Sequence, residues 1–263
     1  MFTFIFIATF LLSTFMLCHI MSFWFFPIAL FFALFLTFIT LFLVLLLCLA
    51  IMSFLPSNHK FKGFVAQSLA LLVKRFLRIK ITVTNPHLLL LSKNIVIYAN
   101  HKSYTDPFII ASVIPRTIAF SPKDKFRSFC GSHFFLQLAF YAFDYMVISR
   151  DNIRKTALSL IKAIPKVKAG LAMVVFPEGG IKDRNDEATV PLLEGSFKIA
   201  FKTQADIIPL TIKGASRIKN YYWWQKKTVE VIIHQPLKYK NYHNQTMSQI
   251  ALTVQKQINS SFA

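Results

Sequence analysis

The run Val96-Ile97-Tyr98-Ala99-Asn100-His101-Lys102-Ser103-Tyr104-Thr105-Asp106-Pro107 holds an imidazole and a carboxylate five residues apart. An apolar, strand-like segment ends at Asn100, and a second apolar window opens at Pro107. A turn between them would fold the Asp106 carboxylate back onto one ring nitrogen of His101. The other nitrogen is then free to take a proton from a substrate hydroxyl, while the carboxylate fixes the tautomer and stabilises the imidazolium. The same residues also suit a plain structural turn, with Asp106 as the N-cap of a helix carrying proline in its first turn. Spacing alone leaves both readings open.

Three further stretches carry candidate chemistry. In Val174-Val175-Phe176-Pro177-Glu178-Gly179-Gly180 a buried-looking strand runs into a proline, an acid and two glycines. Glycines there let backbone N–H groups approach an anion, and Lys182 and Arg184 add positive charge. A tight strand-to-loop turn would have the same sequence. Tyr145–Ser149 is strand-like and ends in Arg150, whose guanidinium could fork onto a phosphate or pair with Asp144 or Asp151. Ile207–Ile212 is a strand with an internal proline, Pro209, which points to an edge, a start or a bulge.

The elements that must position these residues follow from the distribution of charge. The chain has 263 residues and is 55% hydrophobic, yet it carries 30 Lys+Arg against 11 Asp+Glu, a formal net charge of +19. Residues 1–55 contain none of those charges, so an uncharged leader precedes a strongly basic body over 56–263. That pattern excludes a disordered chain, a disulfide scaffold and a simple cytosolic protein. The leader is too long for a signal peptide and has no basic residue in Met1–Phe10. It reads as two helices, 2–25 and 29–52, broken near Phe26-Pro27, which either cross a bilayer twice or enter one leaflet and return. Lys60, Lys62, Lys74, Arg75, Arg78 and Lys80 follow, placing the body on the cytoplasmic side. Residues 62–80 form a basic amphipathic helix suited to an anionic bilayer surface or to docking on the core. Cys18, Cys48 and Cys130 offer no metal spacing, so no metal site is expected. β-rich runs at Ile79–Val83, Ile95–Tyr98, Met146–Ile148, Met173–Val175, Ile207–Ile212 and Val229–Ile233 alternate with helical windows at 124–142, 153–169, 195–205 and 245–258. This alternation predicts an α/β domain with a mixed, largely parallel sheet flanked by helices.

Taken in order, Asn100-His101-x4-Asp106-Pro107, Ile148-Ser149-Arg150, Phe176-Pro177-Glu178-Gly179 and Ile208-Pro209 resemble four motif blocks of the phosphatidate-forming lysophospholipid acyltransferases. These are the 1-acyl-glycerol-3-phosphate acyltransferases of the glycerol-phosphate acyltransferase superfamily. The resemblance covers roughly residues 80–235, and family members with a two-helix membrane anchor share the layout read above. It implies that His101 is the general base and Asp106 orients it. Glu178, Gly179 and Gly180 would help hold a glycerol-phosphate acceptor, Arg150 would bind its phosphate, and Pro209 would shape the floor of the site or the acyl-chain end. It also implies an acyl-CoA or acyl-ACP donor with no cofactor, lysophosphatidate and membrane lipids as partners, and no nucleic acid. The absence of sorting signals and the compact length point to a bacterial inner membrane, with the catalytic domain on the cytoplasmic face by the basic residues after the leader.

Two departures bear on the acceptor. Where the family commonly continues Thr-Arg-Ser after Pro-Glu-Gly, this chain reads Gly180-Ile181-Lys182. Lys182 or Arg184 would then have to replace a forked guanidinium. Where the family often shows Phe-Lys-x-Gly, the chain reads Leu192-Leu193-Glu194-Gly195. The acceptor is therefore lysophosphatidate or, with the same chemistry, another lysophospholipid, glycerol 3-phosphate or an amino-lipid. The charge also leaves a non-enzymatic module open, one that binds anionic lipid or nucleic acid, with Tyr221-Tyr222-Trp223-Trp224 as its best aromatic cluster or else a membrane-interface anchor.

Overall fold

The computed structural model describes residues 1–20, 25–124, 133–149, 151–181, 186–222 and 224–262. Arg150, Lys182 and Arg184, singled out above as phosphate ligands, lie outside the described residues.

Two apolar helices open the chain, α1 (Phe2–Ile20) and α2 (Phe26–Ser53), and Pro27 falls in the first turn of α2, where its missing N–H costs nothing. They pack against each other as a hairpin, with Phe6 meeting Phe38 edge-on at 6.0 Å and Ser13 donating to the Ala33 carbonyl at 3.4 Å. Both are long and apolar enough to cross a membrane. Their outward residues, Phe4, Leu12, Phe15, Phe31 and Leu43 among them, are exposed, a surface suited to lipid rather than water.

The basic amphipathic helix is α3 (Lys60–Phe76). The body behind it is one six-stranded sheet of β1 (Ile79–Thr84), β2 (Ile95–Ala99), β3 (Ile118–Phe120), β4 (Ala172–Val175), β5 (Asp206–Lys213) and β6 (Lys227–Ile233), in the order β1-β6-β5-β2-β4-β3. Every neighbouring pair is parallel except β5 with β6. The expected largely parallel sheet is present, and β2, β4 and β5 sit inside it as near-continuous apolar runs buried on both faces. Ile95, Ile97 and Ala99 point into one core with α3 and α4 (Asp106–Val113), while Val96 and Tyr98 point into the other with α6 (Ile153–Lys168), α7 (Lys198–Thr203) and α9 (Met247–Asn259). Between them in sequence stand α5 (His133–Ala142) and the one-turn α8 (Tyr239–Tyr242). Asn152 caps α6, and Thr246 with Gln249 forms a full capping box on α9.

Several elements differ from expectation. Met146–Ile148 is not a strand: it lies beside the end of β3 through Met146 N–H to the Phe120 carbonyl and Ile148 N–H to the Pro122 carbonyl, but only one bridge, Lys123 with Ile148, forms. The sheet's sixth strand is instead Ile118–Phe120, too short to show a period. The window 124–142 is helical from His133 onward, with 125–132 outside the described residues, and 195–205 splits into a 3-10 turn (Glu194–Phe197) and α7. Pro209 sits mid-strand in an interior position because of a bulge. Leu210 pairs with Ile233 but Ile207 pairs with Leu237, so β6 and its continuation spend an extra residue there. His234 N–H reaches the Pro209 carbonyl, so the side on which proline lacks a donor faces that bulge.

Candidate active site

β2 and β4 are parallel neighbours, with Tyr98 opposite Val175, so the loops leaving their C-terminal ends emerge side by side. This places the His101 loop against the Phe176–Gly180 loop. Ligands of open parallel sheets gather at that end.

The His101 loop folds as the chemistry requires. His101 Nδ1 lies 2.9 Å from Asp106 Oδ2, and the same oxygen accepts from Lys102 N–H at 2.8 Å and Ser103 N–H at 2.9 Å. Asp106 is fully buried and begins α4 rather than capping it. Thr105 occupies the cap position, and the carboxylate turns back over the loop because its backbone donors and the imidazole converge there. Nδ1 thus carries the proton toward a carboxylate, and Nε2 has no protein partner among the described residues. The ring stacks on Phe176 at 4.2 Å, and Phe176 stacks on Phe120 at 6.3 Å. With its side chain 16% exposed, His101 presents one edge to solvent and little else.

Glu178 is buried, and both of its oxygens meet protein donors. Oε1 accepts from His101 N–H at 2.8 Å, and Oε2 accepts from Lys102 Nζ at 3.0 Å and Val190 N–H at 3.5 Å. Gly179 and Gly180 take φ of 71° and 142°, which L side chains rarely adopt. A Cβ on Gly180 would stand 2.2 Å from Lys123 Nζ, so the glycine makes room for that ammonium. Pro209 is buried beneath the site, opposite Tyr98 of β2. The structure brings together His101, Asp106, Glu178, Gly179 and Gly180, with Pro209 one strand away.

Three supporting residues escaped the sequence reading. Lys102 is 2% exposed and pairs with Glu178, although a lysine beside a histidine reads as surface. Asn100, fully buried, exchanges hydrogen bonds with Ile212 N–H (2.7 Å) and carbonyl (2.9 Å), fastening the end of β2 to β5. Lys123 stands beside Gly180 through the fold alone. The polar Asn at the end of an apolar strand was the only available signal. Among the described residues no group of three or more His, Cys, Asp or Glu side chains is placed to hold a metal ion.

The chain is similar to known proteins in sequence and fold. The acyltransferase family model matches residues 80–213, about half of the chain. A probable 1-acyl-sn-glycerol-3-phosphate acyltransferase of Mycoplasma pneumoniae is 27% identical over 70% of this chain and 72% of its own. A 1-acyl-sn-glycerol-3-phosphate acyltransferase of Borreliella burgdorferi is 26% identical over 65% of this chain and 68% of its own. The crystal structure of the 1-acyl-sn-glycerophosphate acyltransferase from Thermotoga maritima shares the fold, with a TM-score of 0.60 at 22% identity over 78% of this chain and 81% of that one. An α/β domain with His101 and Asp106 at its strand ends, matched over both loops by that family model, belongs to the acyltransferase family.

Proposed function

We propose that the protein transfers a fatty acyl group from an acyl thioester to the free hydroxyl of 1-acyl-glycerol-3-phosphate, giving phosphatidate. The observation that carries this reading is the His101–Asp106 pair, with Nδ1 held by a buried carboxylate and Nε2 open. Nε2 takes the proton as the acceptor oxygen attacks the thioester carbon. The tetrahedral oxyanion then collapses, the C–S bond breaks, and the imidazolium returns its proton to the departing thiolate. Asp106 stabilises the imidazolium between those two steps. Glu178 acts on the loop that carries the base, and Lys123 beside Gly180 supplies charge for an acceptor phosphate, together with Arg150, Lys182 or Arg184. The similarity to 1-acyl-sn-glycerol-3-phosphate acyltransferases supports the acceptor. The donor is acyl-CoA or acyl-ACP, both anionic and suited to a body of this charge.

The test is an assay of the purified protein in lipid with lysophosphatidate and each donor. We expect turnover with at least one donor, and a 10²–10⁴-fold loss in His101→Ala, the usual worth of a general base. Near-full activity in the variant would refute the mechanism. A second reading, the same chemistry on another acceptor, rests on Gly180-Ile181 in place of Thr-Arg. Turnover of another lysophospholipid, glycerol 3-phosphate or an amino-lipid, but not of lysophosphatidate, would establish it.

A further inference from the structure

The polarity of the strands sets which loops share a face. β5 and β6 are antiparallel, and β1 is parallel to β6, so β1 and β6 begin at the end of the sheet where β2 and β4 finish. The 214–226 connection and the end of α3 therefore lie on the same end as His101. The opposite end is the foot, where Asn58 donates to the Ala169 carbonyl and Thr117 to the His59 carbonyl, just before β4 and β3 begin. α2 reaches that foot with its C-terminus. From there it runs back up the flank, its residues from Met52 to Leu41 packed among α3 and α5, with Phe42 against Phe135 at 5.5 Å. The apolar hairpin thus leaves the domain toward the active-site end, along the β3 edge.

At the other edge, beside β1, the same end carries aromatic rings held outward. Tyr222 and Trp224 stack at 4.7 Å with an interplanar angle of 5°, and they are 65% and 50% exposed; Phe76, at the end of α3, is 60% exposed. The support beneath them is built in. Lys227, 3% exposed, donates to the carbonyls of Leu77, Tyr222 and Gln225, and Arg78 donates to the Trp224 carbonyl at 2.9 Å. Arg78 itself takes φ 53° to turn that corner. The buried ammonium fixes the loop through three carbonyls with the rings held outward, and an exposed aromatic patch on a fixed support marks a contact surface. The surroundings specify what it meets. The first acid of the whole chain is Asp106, and between 207 and 263 the single acid is Glu230, which meets Thr84 partway down the strands. Lys74, Arg75 and Arg78 flank Phe76 in sequence and Lys219 and Lys226 flank the aromatics of the loop, while Glu187 is engaged by Gly214 and Ser216 at the start of the connection.

We propose that the 221–226 loop and the end of α3 form a second membrane contact, a tyrosine–tryptophan platform rimmed by cations that rests on an anionic bilayer surface. With the hairpin at one edge of the sheet and this platform at the other, the active-site end lies face-on to the membrane between two supports. The inference stands on sheet polarity and surface chemistry and is independent of which acceptor is acylated.

The three tryptophans are Trp24, between the apolar helices in sequence, Trp223 and Trp224, of which Trp24 and Trp223 lie outside the described residues. The full-length W24F/W223F variant keeps Trp224 alone. It is reconstituted into vesicles of phosphatidylcholine and phosphatidylglycerol whose acyl chains are brominated at shallow or deep positions. We expect Trp224 fluorescence to fall at least about two-fold against unbrominated vesicles, more with shallow than deep bromines, and less in pure phosphatidylcholine. The full-length W223F/W224F variant, reporting from Trp24, confirms that the hairpin is inserted. Unquenched Trp224 beside a quenched Trp24 would overturn the proposal and leave an acidic protein as the occupant. Quenching of equal strength without phosphatidylglycerol would overturn the anionic surface as its partner.

Discussion

Lys102 and Glu178 meet with both side chains sealed from solvent, and the pair does more than neutralise itself. The second oxygen of Glu178 holds the backbone N–H of His101. A buried ion pair contributes little net stability, but removing one partner strands a charge in a medium that cannot solvate it. Glu178→Gln keeps an acceptor for His101 N–H and leaves the Lys102 ammonium without a counter-charge. We expect a loss of about 3–5 kcal/mol in urea unfolding and a fall in kcat with the loop. The double variant Lys102→Met with Glu178→Gln removes the stranded charge and should recover at least half of that stability. If Glu178→Gln unfolds at the wild-type midpoint, the pair does not hold the loop.

Among the elements, three helices are joined at one side chain. Asp144, just after α5, accepts from Lys62 of α3 and Lys166 of α6, each at 2.6 Å. Burial works to raise its pKa, but the hydrogen bonds and charges of Lys166 and Lys62 outweigh it and hold the carboxyl below its ordinary value. A group depressed on folding adds stability above its unfolded pKa of about 3.9, and that stability is lost as pH falls through the lower folded value. Asp144→Asn, tolerated at its φ of 58°, should therefore lower stability at pH 7 by about 3 kcal/mol, with the difference from wild type narrowing as pH falls below about 4. A gap in thermal melts no smaller at pH 3 than at pH 7 would contradict the ionic origin. None of this junction is legible in the sequence, since its partners stand 82 and 22 residues apart. His101 and Asp106 were legible because their contact closes within one turn, and the apolar helices and central strands because their patterns are long. β3 has three residues and no period, Met146–Ile148 has strand residues but forms a single bridge past the end of β3, and the grip of Glu178 on His101 depends on β2 lying beside β4. The sequence narrowed Pro209 to an edge, a start or a bulge; choosing among these took the register between β5 and β6.

At the scale of the molecule, the change of composition at residue 55 is not a boundary of packing. Phe2, Cys48, Leu49 and Met52 of the hairpin form one buried cluster with Val65 of α3 and with Ala142 and Phe143 at the end of α5. From that cluster a succession of rings leads inward. Phe143 meets Tyr145 at 5.6 Å, Tyr145 meets Phe120 at 5.7 Å, Phe120 meets Phe176 at 6.3 Å, and Phe176 carries the His101 ring at 4.2 Å. The hairpin is thus a wall of the domain. A fragment of residues 56–263 loses the burial of Phe2, Leu49 and Met52, worth about 1.5–3 kcal/mol for each side chain, and exposes the other side of the cluster. We expect it to run as aggregates in size-exclusion chromatography without detergent and, in detergent, to melt below the full chain. Its kcat should also fall on a short-chain, water-soluble acceptor, for which membrane access no longer limits the rate, because Phe176 would lose part of its backing. A monodisperse fragment with an unchanged melting temperature and unchanged kcat would show instead that the hairpin serves only to hold the enzyme at the bilayer.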